Sequence, residues 1–320
     1  MSAKSPVIVD LKFARSSVGA ALEGAFPGRE VINLGLAENA GRDLKDAHYA
    51  VVWKPDPSLF ARAEDLKVIF SGGAGVDHIL SAQGLPDLPM VRFVDRSLTD
   101  RMSEWVVLQC LSHLRHTLDY AAFQRACHWE ELDPQPEARD LTVGVMGLGV
   151  LGLDAVRKLK VMGFNVVGWS RSQKDIDGVK TYDADGMDAF LAATDILVGL
   201  LPLTPQTTGI FDARLFSKMR QGGALGKPVF INAGRGGSQV EADIVAALQN
   251  GILGAASLDV FASEPLSAQS PLWTMDNVVI TPHAAASSDI RALFAHVDAQ
   301  ITRFERGESL QHLVDRQAGY

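Results

Sequence analysis

The chain has 320 residues, 47% hydrophobic and 21% charged, the composition of an ordinary water-soluble protein and enough length for two domains with buried cores. Its 30 Lys and Arg against 38 Asp and Glu give a net charge of −8, which argues against nucleic acid or an anionic membrane as the main partner. A small anionic substrate stays open, because one buried arginine can set a local field. Two cysteines, Cys110 and Cys127, offer neither a disulfide framework nor a metal spacing, and no metal is expected. They read as reduced thiols of a cytoplasmic protein. No signal peptide is visible, and no stretch approaches the roughly 20 apolar residues of a membrane span.

Short β-rich runs alternate with helical patterns, the signature of α/β architecture with mainly parallel sheets. In chain order, strands are expected at 6–11, 49–53, 66–71 and 91–94, then at 142–147, 165–170, 195–201, 229–233, 255–261 and 277–281. Their near-continuous apolar composition suits strands covered on both faces. Between the two series a long helix is expected over 100–121, with Val107, Leu111, Leu114 and Leu118 on one stripe. A charged, proline-bearing connection follows at 128–140. A second long helix closes the pattern at 288–306, carrying Ile290, Leu293, Phe294, Val297, Ile301 and Phe304. One domain therefore precedes the first long helix, a second lies between the two, and the last helix returns to the first. The boundaries fall at 1–103 with 288–320, and at 104–287.

The segment TVGVMGLGVLG (142–152) sets Gly147, Gly149 and Gly152 in the pattern GxGxxG. It follows a buried-type strand and opens a helix, with Val150 and Leu151 in its first turn. That context is what a dinucleotide-binding fingerprint requires. Gly147 permits the turn, Gly149 lets backbone approach a pyrophosphate, and Gly152 lets helix and strand pack closely. A helix N-terminus then meets the phosphate charge. After the next strand the chain reads GWSRSQK, where an NAD site would carry an acid. Ser170, Arg171 and Ser172 can instead bind a 2′-phosphate, so NADPH is expected over NADH, which remains possible.

Three further strands end in ionisable residues: FINAGRGG at Arg235, SLDVFASEPL near Asp259 with Glu264 beyond it, and NVVITPHAAASS at His283. Carboxyl ends of parallel strands are where open α/β sheets bind ligands. Ser238 and Glu241 are expected to form a capping box on the helix after Arg235, with Gly251 ending it.

AGRGG, LDVFASEPL, PLWTMDNVVITPHAAA and the glycine loop, in this order, resemble the D-2-hydroxyacid dehydrogenase family over nearly the whole chain. WSRS, VVWKPDP, SGGAGVDHI and the ending LVDRQAGY resemble its glyoxylate/hydroxypyruvate reductase branch. The resemblance implies a Rossmann dinucleotide-binding domain inserted into a flavodoxin-like substrate domain, an active site in the cleft between them, and a homodimer built on the first long helix. It also implies a catalytic set of Arg235, Glu264 and His283 acting on a small 2-keto or 2-hydroxy acid. Arg235 would clamp the substrate carboxylate through its planar fork of donors. His283 would exchange the proton, a duty that histidine performs near neutral pH. Glu264 would orient the imidazole and stabilise its charged form.

Further contacts follow from the same resemblance. Gly73, Ala74 and Gly75 form a possible anion nest for the substrate carboxylate. Trp53 resembles a pocket wall, with a core tryptophan as the other reading, and Met102 is either near the nicotinamide or an ordinary core residue. Leu201, Pro202 and Thr207 resemble the adenosine-side loop. Ala233 joins the dinucleotide contacts, and Asp259 either meets the nicotinamide carboxamide or caps a turn. The expected activity is reduction of glyoxylate, hydroxypyruvate or a similar keto acid. The alternatives are an NAD-linked dehydrogenase of larger substrates and a dinucleotide-sensing regulator on the same fold.

Overall fold

The structure, a computed structural model, describes residues 4–133 and 135–320. Residues 1–3 and Pro134, inside the connection expected at 128–140, lie outside the described residues. The chain separates into two compact units, Met1–Leu98 with Ser288–Tyr320, and Thr99–Ser287. The first boundary of the units falls within one continuous helix, Arg96–Leu114.

In the first unit, β1 (Val7–Leu11), β2 (Val31–Asn33), β3 (Tyr49–Trp53), β4 (Val68–Ser71) and β5 (Met90–Val91) form a sheet in the order β2-β1-β3-β4-β5. Every pairing is parallel. This is the flavodoxin-like order, and its direction reverses between β1 and β3. The unbroken apolar runs are explained by two cores, one on each face. Val7, Val9 and Leu11 pack with Phe294 and Val297 on one side, while Ile8, Val52 and Ile69 pack with Leu59 and Ile79 on the other.

In the second unit, β6 (Thr142–Met146), β7 (Asn165–Trp169), β8 (Lys180–Tyr182), β9 (Ile196–Gly199), β10 (Val229–Asn232), β11 (Ala255–Leu258) and β12 (Val278–Ile280) make a seven-stranded sheet. Its order is β12-β11-β10-β9-β6-β7-β8, again wholly parallel. Counted from β6, that is the Rossmann order with one strand added at the edge, and the switch point lies between β6 and β9. The expected two-sheet α/β architecture is therefore present.

Several elements differ from expectation. The three-residue strands β2 and β8 were not expected; β8 reads Lys-Thr-Tyr and carries no apolar run. The helix expected over 100–121 is two, Arg96–Leu114 and Thr117–Arg125, separated where His116 takes a left-handed conformation (φ 52°). The buried face of the first is Met102, Trp105, Val106, Cys110 and Leu114; Val107 and Leu111 lie at its margin and Leu108 is exposed. Met102 accordingly sits in the core. The last helix, Ile290–Glu305, buries Leu293, Phe294, Val297 and Ile301 as its spacing implies, and Asp289 caps it by accepting from the Arg291 and Ala292 N–H groups.

Candidate active site

The glycine loop leaves β6 at the switch point and enters the helix Val150–Val161. Gly147 has φ 108°, a conformation that side chains disfavour, and a Cβ there would lie 2.6 Å from the Leu200 carbonyl oxygen. A Cβ on Gly152 would lie 1.8 Å from the Gly147 carbonyl oxygen, so the helix can press on the loop only as glycine. At Gly149, the helix N-cap, nothing lies within 4 Å of a Cβ. The loop is closed toward the protein at two glycines and open at the third. Beyond β7, the Ser170 hydroxyl donates to the Ser172 carbonyl at 2.7 Å, and Arg171 and Ser172 are exposed. Leu201 and Ala233 are buried beside the loop, and the Thr207 hydroxyl closes its own turn by donating to the Pro202 carbonyl at 2.6 Å.

The ends of β10, β11 and β12 form one connected network. Past β12, His283 adopts φ 54°, a left-handed conformation that a non-glycine residue keeps only when its surroundings impose it. Asp259, 1% exposed, imposes it here. Its Oδ1 accepts from the Ala284 and Ala285 N–H groups at 2.8 and 3.0 Å and from the Thr281 hydroxyl, while its backbone carbonyl accepts from His283 N–H at 2.8 Å. The segment TPHAA is thus wrapped around one buried carboxylate. His283 Nδ1 meets both carboxylate oxygens of Glu264, at 3.1 and 3.0 Å, and the ring is partly exposed. That pairing directs Nε2 to whatever stands outside.

Arg235 follows β10 and is half-buried, with Nη1 donating to the Gly234 carbonyl at 2.8 Å. Its loop lies directly on the segment after β11: a Cβ on Gly236 would come within 1.9 Å of the Phe261 carbonyl carbon. The expected capping box does not form. Residues Gly236–Ser238 make a 3-10 turn that moves the helix N-cap to Val240. Ser238 Oγ donates instead to the Arg235 carbonyl at 2.5 Å, and Glu241 Oε1 accepts from Ala262 N–H at 2.8 Å. Two residues absent from the expected site complete the network, the buried amides Asn232 and Gln239. An asparagine ahead of a glycine-rich turn is a legible signal, since it folds such turns through its side chain. Gln239 carries no comparable signal.

In the first unit, Trp53 ends β3 with its ring over the backbone of Gly73, where a Cβ would lie 2.6 Å from it. It also lies 4.1 Å, centroid to centroid, from the His78 ring. Gly73 N–H is taken by the Ser71 hydroxyl at 3.3 Å. Of the three expected nest residues, Gly73 thus has its N–H engaged within its own turn. Among the described residues no group of three or more His, Cys, Asp or Glu could hold a metal ion. No helix among them is long and apolar enough to cross a membrane.

A seven-stranded Rossmann sheet with a histidine–carboxylate pair and an arginine at neighbouring strand ends defines a nucleotide-linked oxidoreductase architecture. Comparison with known proteins narrows it. The family model for the D-isomer specific 2-hydroxyacid dehydrogenase NAD binding domain matches residues 107–285. A glyoxylate/hydroxypyruvate reductase A from Escherichia fergusonii is 39% identical over 285 residues, 87% of this chain and 89% of that protein. The crystal structure of an NADPH-dependent glyoxylate/hydroxypyruvate reductase from Sinorhizobium meliloti, in complex with NADP and sulfate, superposes with a TM-score of 0.97 at 65% identity, covering 99% of this chain and 100% of that one. A probable 2-hydroxyacid dehydrogenase from Rhizobium etli, in complex with NADP, HEPES and L(+)-tartaric acid, gives 0.95 at 62% identity with the same coverage. The chain belongs to the D-isomer specific 2-hydroxyacid dehydrogenase family.

Proposed function

We propose that this protein reduces a small 2-keto acid, such as glyoxylate or hydroxypyruvate, to the 2-hydroxy acid with NADPH. The observation that carries the reading is the contact of His283 Nδ1 with the Glu264 carboxylate at 3.0 Å. A carboxylate at one ring nitrogen stabilises the imidazolium and fixes the ring, which leaves Nε2–H as the proton to give. The names and NADP complexes of the relatives support the same activity.

The glycine loop fits a dinucleotide, since it is open at Gly149 and offers the N–H groups of a helix N-terminus. When bound, the reduced nicotinamide supplies the hydride. The remaining contacts to the dinucleotide are assigned to Val150, Leu151, Leu201, Pro202, Thr207, Ala233 and Asp259. Ser170, Arg171 and Ser172 hold the 2′-phosphate, so NADPH is preferred and NADH is bound without that contact.

Arg235 clamps the substrate carboxylate and polarises the neighbouring carbonyl. As negative charge develops on the carbonyl oxygen, His283 donates the Nε2 proton to it, and Glu264 holds the imidazole in place throughout. Trp53, Ala74 and Gly75, with Gly73 shaping the turn, are assigned to the substrate side. We assign the protein to the cytoplasm as a homodimer. The exposure of Leu108 and Trp129, 57% and 100%, supports a partner surface on the first long helix and the segment after it.

The test is His283→Ala. Losing a general acid typically costs about 10²–10⁴-fold in rate, so kcat for glyoxylate should fall by that order while NADPH binding, followed by fluorescence, changes less than about twofold. Loss of coenzyme binding, or an unchanged kcat, would overturn the assignment. Absence of turnover with any small keto acid in the intact protein would favour the regulator.

A further inference from the structure

We infer that Gln239 is a positioning residue for the reduction, linking the Arg235 loop to the carboxylate that holds His283; this rests on the reading of Glu264 and His283 given above. Gln239 is 5% exposed and Asn232 is fully buried. Asn232 Nδ2 donates to Gln239 Oε1 at 2.7 Å, and Gln239 Nε2 donates to the Val260 carbonyl at 2.9 Å. The N–H of that same peptide unit, on Phe261, donates to Glu264 Oε1 at 3.2 Å. Glu264 Oε1 in turn meets His283 Nδ1 at 3.1 Å. From Asn232 to Glu264 every bond donates in one direction.

Both amide orientations are fixed by their surroundings. Asn232 Oδ1 already accepts from Gly234 N–H at 3.0 Å, and a carbonyl such as that of Val260 can only accept. Aligned hydrogen bonds away from water polarise one another. A donor on the Val260 oxygen therefore makes Phe261 N–H a stronger donor to the Glu264 carboxylate and holds that carboxylate in place beside His283. Asn232 Nδ2 also donates to the Arg235 carbonyl at 3.3 Å, a bond that does not pass through Gln239 and so stays when Gln239 is replaced. An apolar side chain of similar size would fill the space equally well. An apolar side chain can neither accept from Asn232 nor donate to Val260, and the glutamine amide does both.

Gln239→Met keeps the volume and removes the relay. Gln239→Val removes it with a β-branched residue suited to the extended backbone here (φ −112°, ψ 149°), should the methionine disturb folding. Each is made alone and with Glu264→Gln, and kcat with glyoxylate is measured beside the dissociation constant for NADPH. The expected result is a drop in kcat of about tenfold in the single variants, coenzyme binding within about twofold, and no further drop when Glu264→Gln is already present. A drop that multiplies with that of Glu264→Gln, an unchanged kcat, or weakened coenzyme binding would overturn the inference. If Glu264→Gln alone leaves kcat intact, the reading of the histidine–glutamate pair falls, and this inference with it.

Discussion

A buried titratable side chain has to be neutral, paired or destabilising, and the second unit contains each of the first two cases. Asp259 is the paired one, its Oδ1 ringed by donors from Thr281, Ala284 and Ala285. His113 is the neutral one. It lies in the helix Arg96–Leu114 with Nε2 2.8 Å from Ser257 Oγ, and that hydroxyl donates onward to Gln109 Oε1 at 2.9 Å. The hydroxyl proton is thereby committed, so His113 is the Nε2–H tautomer and donates. Burial pushes its pKa down to about 4. Above the ordinary value of about 6.5 the folded and unfolded chains are both neutral here, and His113 adds no pH dependence. As pH falls from there toward 4 the unfolded chain takes up a proton that folded His113 refuses, so stability declines and then levels off. The integrated loss is of the order of 3 kcal/mol. Urea unfolding between pH 7 and 4 should show this decline, and His113→Gln, which keeps a donor for Ser257, should flatten it by one proton's worth. An identical pH slope in that variant would show that other groups carry the dependence.

At the scale of elements, the glycine loop separates two demands that its sequence pattern merges. Gly152 answers to the protein: its Cβ would strike the Gly147 carbonyl, which is backbone and cannot swing aside. Gly149 has open space at the same position, so the constraint there comes from outside the chain. Gly152→Ala should therefore lower stability by about 1–3 kcal/mol, as overpacking does, and weaken NADPH binding as well. Gly149→Ala should leave the melting temperature nearly unchanged and weaken NADPH binding alone. Thermal melts and coenzyme titrations on the pair decide it, and a large stability loss in Gly149→Ala would contradict the open loop. This loop was legible in the sequence because its signal is local, a strand, three glycines and a helix in sequence. The strands other than β2 and β8 were legible for a related reason, since cores on both faces leave most residues of such a strand apolar. The break at His116 was not, because no glycine or proline marks it. Nor was the role of Gln239, whose partner is a main-chain carbonyl 21 residues away, with no side-chain type to betray it.

For the whole molecule, the net charge of −8 opposes the approach of an anionic dinucleotide, so preference for the extra phosphate of NADPH has to come from a local contact. Arg171, exposed after β7, is the group proposed for it. Its exposure also makes the contact sensitive to salt, because the screening length shrinks from about 10 Å at 0.1 M to about 3 Å at 1 M. A ligand that binds only the folded chain stabilises it by about 2.7 kcal/mol at a hundred times its dissociation constant. For domains of this size each kcal/mol moves the melting temperature by roughly 2–4 °C. NADPH at that level should thus raise the melting temperature by roughly 5–10 °C, and NADH at equal concentration by less. Salt near about 1 M should narrow the gap between the coenzymes, and Arg171→Ala should close most of it while sparing the NADH shift. The discriminating measurement is the gap itself, taken by calorimetry in both proteins at low and high salt. Equal shifts from the two coenzymes, or a gap indifferent to Arg171, would mean that the basic turn after β7 does not read the 2′-phosphate.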